Sequence, residues 1–327
     1  MKKVTVIGGG TGTFVVLSGL KQYPLDLSVV VTMMDSGGST GRLRDQLGIL
    51  PPGDLRQCLV ALSDAPVLWR KLFLYRFEKG DLGGHNFGNI FLAALEKVST
   101  SYDEAIDTVS YVLKTKGKVI PVTHNKLHLV AQYENGIKVT GEGLIDENHE
   151  EKTKITDAYL EPKGKANPKA IKSIVEADYI VIGPGDLYTS IIPVLLVDGV
   201  KEAIQKTKAK IVYIMNLMTK SGQTTNYKAS DHIKDLSKYL GRQPDDVLIN
   251  NGAISSDILT SYRRYNEIRV ENDLNKNGYE ILEVDLVDNK KIEKNSSDIL
   301  YRSILRHDSE KVAKTLVNIF NKVRPYV

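Results

Sequence analysis

The sequence predicts an α/β protein: a Rossmann-like, doubly wound, mainly parallel sheet with helices on both faces and a small antiparallel β excursion. Three observations point there. Near-continuous Val/Ile runs suit strands that are buried on both faces. Those runs alternate with stretches of helical periodicity. Glycine-rich turns follow several of the runs directly, where a doubly wound fold opens its ligand crevice.

The first strand is expected at residues 3–7, and Gly8-Gly9-Gly10-Thr11-Gly12-Thr13 follows it. Phe14, Leu17 and Leu20 then recur at helical steps. A strand, a glycine turn and a helix in this order let a phosphate approach the main chain at a helix N-terminus, whose N–H groups are unpaired. The spacing is not the dinucleotide fingerprint, because its third glycine falls on Thr13. No Lys-Ser/Thr pair follows either, which excludes a P-loop. A second strand at 27–32 leads into Asp35-Ser36-Gly37-Gly38-Ser39-Thr40-Gly41-Arg42-Leu43-Arg44. An acid at the end of a second strand often meets a ribose hydroxyl. The Gly/Ser/Thr cluster offers donors to an anion, and Arg42 adds charge-assisted bonds.

Further loops share this character. In Pro51-Pro52-Gly53-Asp54-Leu55-Arg56, Asp54 is expected as a helix cap or a Mg²⁺ ligand. Gly84-His85-Asn86-Phe87-Gly88-Asn89 precedes an apolar helix, and a capping box at Ser101 to Glu104 opens the next one. Residues 119–122, 127–133 and 137–140 are short β runs, the last two joined by a turn at Glu134-Asn135-Gly136. Residues 118–160 are therefore read as an antiparallel excursion from one domain spanning 1–327. Asn167-Pro168 caps a helix, and a strand at 179–182 leads into Gly183-Pro184-Gly185-Asp186-Leu187-Tyr188-Thr189-Ser190. Asn216 ends a strand at 210–215, Ser230-Asp231 opens a helix, and a strand follows at 247–250. Residues 251–306 are polar and give no clear pattern.

A formal charge of +4 over 327 residues argues against a nucleic-acid surface. The lysine-rich run 290–294 is expected on a solvated face. A single cysteine, Cys58, excludes a disulfide framework and suits a reducing compartment. No signal peptide or membrane-spanning run is visible, so the expectation is a cytoplasmic protein without membrane insertion. His124 and His128 lie in β-like surroundings rather than on a metal-binding helix face, and no G-x-S-x-G elbow is present. No resident metal is assigned.

The motifs Gly8–Gly12, Asp35–Arg44, Pro51–Arg56, Ala61–Asp64, Gly84–Asn89, Gly183–Ser190, Asn216–Thr219, Ser230–His232 and Arg306–Asp308, taken together, resemble the gluconeogenesis factors of the YvcK type. That family is related to the CofD-like 2-phospho-L-lactate transferases, and the motifs run through nearly the whole chain in one order. One departure stands out: the family carries two acids before the paired glycines, and here Asp35 is followed by Ser36.

The resemblance implies a regulator that binds a nucleotide sugar such as UDP-N-acetylglucosamine and serves cell shape and wall synthesis under gluconeogenic growth. Its transferase branch implies the alternative, transfer of a phospholactyl group from a diphosphonucleotide donor with Mg²⁺. A nicotinamide-dependent dehydrogenase is a distant third reading, which Thr13 disfavours. The ligand-binding positions are expected at Gly8, Gly9, Gly10, Thr11, Gly12, Asp35, Gly37, Gly38, Ser39, Arg42, Gly53, Asp54, His85, Asn86, Asn89, Gly183, Gly185, Asp186, Tyr188, Thr189 and Asn216. The resemblance adds Tyr265, with Tyr262 competing for its place, and Arg306. Catalytic residues are not assigned, and a homo-oligomer is the general expectation for such folds.

Overall fold

The computed structural model describes residues 1–148, 153–275, 278–288 and 303–322. The lysine-rich run 290–294 and His149 lie outside the described residues. The strands are β1 (Lys2–Gly8), β2 (Leu25–Val31), β3 (Lys118–Pro121), β4 (His128–Tyr133), β5 (Lys138–Thr140), β6 (Ile155–Glu161), β7 (Tyr179–Ile182), β8 (Lys210–Ile214), β9 (Asp246–Asn250), β10 (Glu280–Val284), β11 (Val287–Asp288) and β12 (Arg306–His307). Seven of them form one sheet in the order β10-β9-β8-β7-β1-β2-β3. Every pairing in that sheet is parallel. The apolar runs explain this: all four residues of β7 are buried, as are the last five of β1 and of β2.

Strand order grows one way from β1 through β2 to β3 and the other way from β7 to β10. Right-handed crossovers running in opposite directions place their helices on opposite faces. The helices are α1 (Gly10–Leu20), α2 (Gly38–Leu47), α3 (Gly53–Leu62), α4 (Val67–Leu74), α5 (Phe87–Val98), α6 (Tyr102–Leu113), α7 (Glu142–Asp146) and α8 (Pro168–Val175). A π-helical turn, Leu187–Ile191, runs into α9 (Ile192–Leu195), followed by α10 (Val200–Lys206), α11 (Ala229–Leu240), α12 (Ser256–Arg263) and α13 (Ser309–Asn321). In one group α1 packs against α3 and α13, and in another α10 lies between α8 and α11. Gly19 permits the α1–α13 contact, since a Cβ there would stand 2.1 Å from the Ser309 carbonyl oxygen. No helix among the described residues is long and apolar enough to cross a membrane.

Several expectations need correction. The run at 119–122 does not belong to the antiparallel excursion. It forms β3, the edge strand hydrogen-bonded parallel to β2, and Val119, Ile120 and Pro121 are buried as the central strands are. The antiparallel layer is β5-β4-β6 alone, with the expected turn at Gly136 (φ +84°). The helix assigned to Ser230-Asp231 starts at Ala229, where the Asp231 carboxylate accepts a hydrogen bond from the Lys228 N–H. The region left open at 251–306 supplies α12 and the edge strand β10, in which Glu280 and Glu283 interrupt the apolar residues, so that no continuous apolar run appears. The caps at Ser101 and Asn167 are as expected, each side-chain oxygen accepting from a first-turn N–H.

Candidate functional site

The strand order reverses between β1 and β7, and a crevice opens there at the carboxyl edge of the sheet. Its floor is the turn between β1 and α1. Gly9 occupies the N-cap position of α1 without a side-chain cap of its own, and no acid lies in the first turn, so the helix N-terminus faces the crevice with the Asp54 carboxylate of α3 beside it. Gly10 needs its φ of +64°. At Gly9 a Cβ would stand 2.3 Å from an Asp54 carboxylate oxygen, and at Gly12 it would stand 2.0 Å from the Pro184 carbonyl oxygen. These glycines thus let β7's loop and α3 close around the turn. Thr13, the residue that spoils the dinucleotide pattern, is buried with its hydroxyl 2.6 Å from where a Gly8 Cβ would be.

Of the expected ligand positions, Gly9, Gly10, Thr11, Gly12, Asp35, Gly37, Ser39, Gly53, Asp54, Asn89, Gly185, Asp186, Thr189, Asn216 and Arg306 line the crevice. The Asn216 amide donates to the Gly185 carbonyl at 2.9 Å and ties the β8 and β7 loops together, while its buried Oδ1 has no partner. Asp54 is not the cap of α3, whose N-cap is Pro52. It lies in the first turn, with its carboxylate turned onto Gly9 and Gly10. Asp35 packs likewise on Gly53.

The other expected positions do not line it. Gly8, Gly38 and Gly183 shape the turns behind it. His85 and Asn86 serve the scaffold: His85 Nδ1 lies 3.2 Å from Ser39 Oγ, and Asn86 caps α5 by accepting from the Asn89 N–H. Arg42 donates to the Gly83 carbonyl at 3.0 Å. Tyr188 is buried and turned away, with its hydroxyl 2.6 Å from Asp235 Oδ2, an acceptor that it shares with Tyr227. Tyr265 is 42% exposed and outside the crevice, whereas Tyr262 lines it. The spacing alone could not choose between the two tyrosines. Tyr262 is buried on Leu217, Met218 and Leu305, and its hydroxyl accepts from the Leu305 N–H at 3.0 Å.

Charged groups that the sequence reading did not single out complete the walls: Glu142, Asp146, Lys220 and Glu267. The i, i+4 spacing of Glu142 and Asp146, which puts both on one helix face, is the signal that could have found them. Lys220 Nζ is 3.3 Å from Asp146 Oδ1, and Glu267 accepts from the Ser221 N–H. Burial works to lower Lys220, but Asp186, Asp146 and Glu267 together hold it above the ordinary lysine range. Burial pushes the Asp186 carboxyl up to about 6, with Lys220 opposing and Asp146 assisting. Burial, then Asp35, Asp146 and Asp54, pushes Glu142 well up. His307 is held near 4 by burial while its Nε2 bonds to the Met215 carbonyl at 3.1 Å. Cys58 is buried and its thiol is raised by burial and by Asp54, so it is not poised as a nucleophile.

The sequence model of the family described as 2-phospho-L-lactate transferase CofD matches residues 4–287. The chain is 40% identical over 326 residues to the gluconeogenesis factor of Bacillus subtilis, a match covering 98% of each. It is 45% identical over 260 residues to the gluconeogenesis factor of Listeria innocua, covering 79% of this chain and 80% of that protein. A crystal structure of a UPF0052 family member from Bacillus halodurans superposes with a TM-score of 0.88 at 38% identity, covering 97% of this chain and all of that one.

Proposed function

Given that the chain belongs to the CofD family and, within it, to the gluconeogenesis factors, we propose that the crevice binds a nucleoside-diphosphate sugar, with UDP-N-acetylglucosamine as the reference ligand. On this reading the protein is a cytoplasmic regulator that links the supply of such a sugar to cell shape and wall synthesis during gluconeogenic growth. The observation that carries the reading is the glycine-lined N-terminus of α1 at the point where strand order reverses, with Arg306 on the same crevice. Helix N–H groups and a guanidinium are what a diphosphate needs, and the remaining wall is polar enough for a sugar.

Mg²⁺ fits this arrangement only together with the ligand. Asp54 on Gly9 and Gly10, and Asp35 on Gly53, put carboxylates beside the turn, and these would repel a bare diphosphate. Among the described residues, no group of three or more His, Cys, Asp or Glu side chains could hold a metal. Asp35 and Asp54 would therefore share the ion with phosphate oxygens, as Mg²⁺ sites commonly do, and the ion would neutralise charge. Calorimetric titration with UDP-N-acetylglucosamine, UDP-glucose, GDP and NAD, with and without Mg²⁺, tests the reading. Selective, Mg²⁺-dependent binding of a UDP-sugar is expected, and NAD binding alone would overturn it.

The second reading is a transferase acting on a diphosphonucleotide-linked donor. One observation favours it: Asp186, at about 6, lies in the range suited to a general base. Incubation with Mg²⁺ and a nucleotide-linked donor separates the two. Sustained nucleotide release above the buffer control would favour the enzyme.

A further inference from the structure

The short helix α7 is tied down on two opposite walls of the crevice. At its start the Glu142 carboxylate accepts from the Ser36 N–H at 3.2 Å, and the Gly143 N–H donates to Ser36 Oγ at 2.9 Å. At its end the Asp146 carboxylate accepts from Gln223 Nε2 at 3.2 Å and pairs with Lys220 at 3.3 Å. Ser36 follows β2, and Lys220 and Gln223 follow β8. The two strands between them in the sheet, β1 and β7, carry the glycine turn and the Asp186 loop. The helix thus straddles the crevice, delivered there by the antiparallel layer. Gly143 makes the approach close, since a Cβ there would stand 3.1 Å from the Gly37 backbone.

Both carboxylates line the crevice. The contacts with Ser36, Gln223 and Lys220 use Glu142 Oε2 and Asp146 Oδ1, and among the described residues Glu142 Oε1 keeps its lone pairs for another donor. A second observation marks the same place. Thr189, 2% exposed, lines the crevice three residues after Asp186, and its hydroxyl has no hydrogen-bond partner among the described residues. Phosphate without a bridging cation is the wrong occupant for these groups, because carboxylates repel it. A neutral group rich in hydroxyls is the right one, donating to carboxylates and exchanging hydrogen bonds with Thr189.

We propose that Glu142, Asp146 and Thr189 form a hydroxyl-reading subsite for the sugar of a nucleoside-diphosphate sugar, so that α7 separates the sugar conjugate from the bare nucleoside diphosphate. The inference rests on the reading of the crevice given above. The test is calorimetric titration of wild-type protein, Glu142→Gln and Asp146→Asn with UDP-N-acetylglucosamine and with UDP, at fixed Mg²⁺.

Wild type is expected to prefer the sugar conjugate. Hydrogen bonds to charged groups are worth roughly 1.5–3 kcal/mol, so Asp146→Asn is expected to lose on the order of tenfold to a hundredfold in affinity for it, and Glu142→Gln, whose carboxyl burial already pushes toward its neutral form, less. UDP affinity is expected to hold in Glu142→Gln, and to hold or rise in Asp146→Asn. Thr189→Val keeps the shape and carries the same direction of effect if a carboxylate variant fails to fold. Equal losses for both ligands, or none, would overturn the subsite. Wild-type protein that binds UDP and its sugar conjugate equally would also overturn it while leaving the nucleotide reading intact. Wild-type protein that binds neither would remove both.

Discussion

Arg306 reaches the crevice between two neighbours that are committed elsewhere. His307 bonds to the Met215 carbonyl, and Asp308 caps α13 by accepting from the Glu310 and Lys311 N–H groups. Asp308 is therefore engaged by the helix rather than set to form a surface ion pair with Arg306. If Arg306 clamps a diphosphate, Arg306→Ala should weaken UDP-N-acetylglucosamine binding about tenfold to a hundredfold, from the roughly 1.5–3 kcal/mol of a charged hydrogen bond. Lys at this position should not restore it, because it lacks the planar fork. Calorimetry on the two variants decides, and unchanged affinity in Arg306→Ala would remove Arg306 from the site. At Gly10 the added Cβ itself has room, with nothing nearer than 3.8 Å, but φ is +64°. Gly10→Val should thus cost stability through backbone strain, on the order of 1–2 kcal/mol, as well as binding. A melt of the unliganded variant at the wild-type temperature would show that the strain is absent.

Among the elements, α13 gives the cleanest separation of fold from function. Its N-cap, Asp308, makes two hydrogen bonds, and Asp308→Ala should cost about 1 kcal/mol of stability. The same variant should bind the ligand with near wild-type affinity, since the cap points into the helix. A drop in affinity as large as that of Arg306→Ala would mean that the cap also sets the position of β12. The antiparallel layer makes the converse case. It adds nothing to the main sheet, yet its α7 puts Glu142 and Asp146 on the crevice wall. Ser36 is the residue on which Glu142 and Gly143 dock.

Over the whole molecule, pH sets buried histidines against buried carboxyls. His232 and His307 are held near 4 by burial, against an ordinary value of 6.5. The unfolded chain therefore takes up more protons between pH 6.5 and 4. Each histidine's contribution is fully present above about 6.5 and is lost as pH falls through that window, on the order of 3 kcal/mol. Asp186, raised to about 6, has the opposite sign: the native state keeps its proton, and that stabilisation is lost as pH rises from about 3.8 to 6. Both ring nitrogens of His232 are buried without partners among the described residues. His232→Leu should accordingly be neutral or stabilising at pH 7 and flatten the acid-side loss, while Asp186→Asn should steepen it. Denaturant melts from pH 4 to 7 check both, and parallel curves for His232→Leu and wild type would refute the histidine assignment.

The parallel sheet, its glycine turns and most of the crevice floor were legible in the chain because they depend on local signals. Buried strands need unbroken apolar runs, and tight turns need glycine, whatever lies elsewhere. The strand at 119–122 was misplaced because its partner, β2, lies far back in the sequence, and no local pattern states which edge a strand joins. Edge strand β10 was missed because an edge tolerates charged residues, here Glu280 and Glu283, that break the apolar run. Tyr262, Glu142 and Asp146 were brought to the crevice by packing across long separations: α12 on the β8 loop, and α7 on Ser36 and Gln223. The residues that touch the backbone turn were thus fixed by sequence, and the side chains that face them were decided by tertiary structure, because complementarity across a crevice is a property of two surfaces folded together.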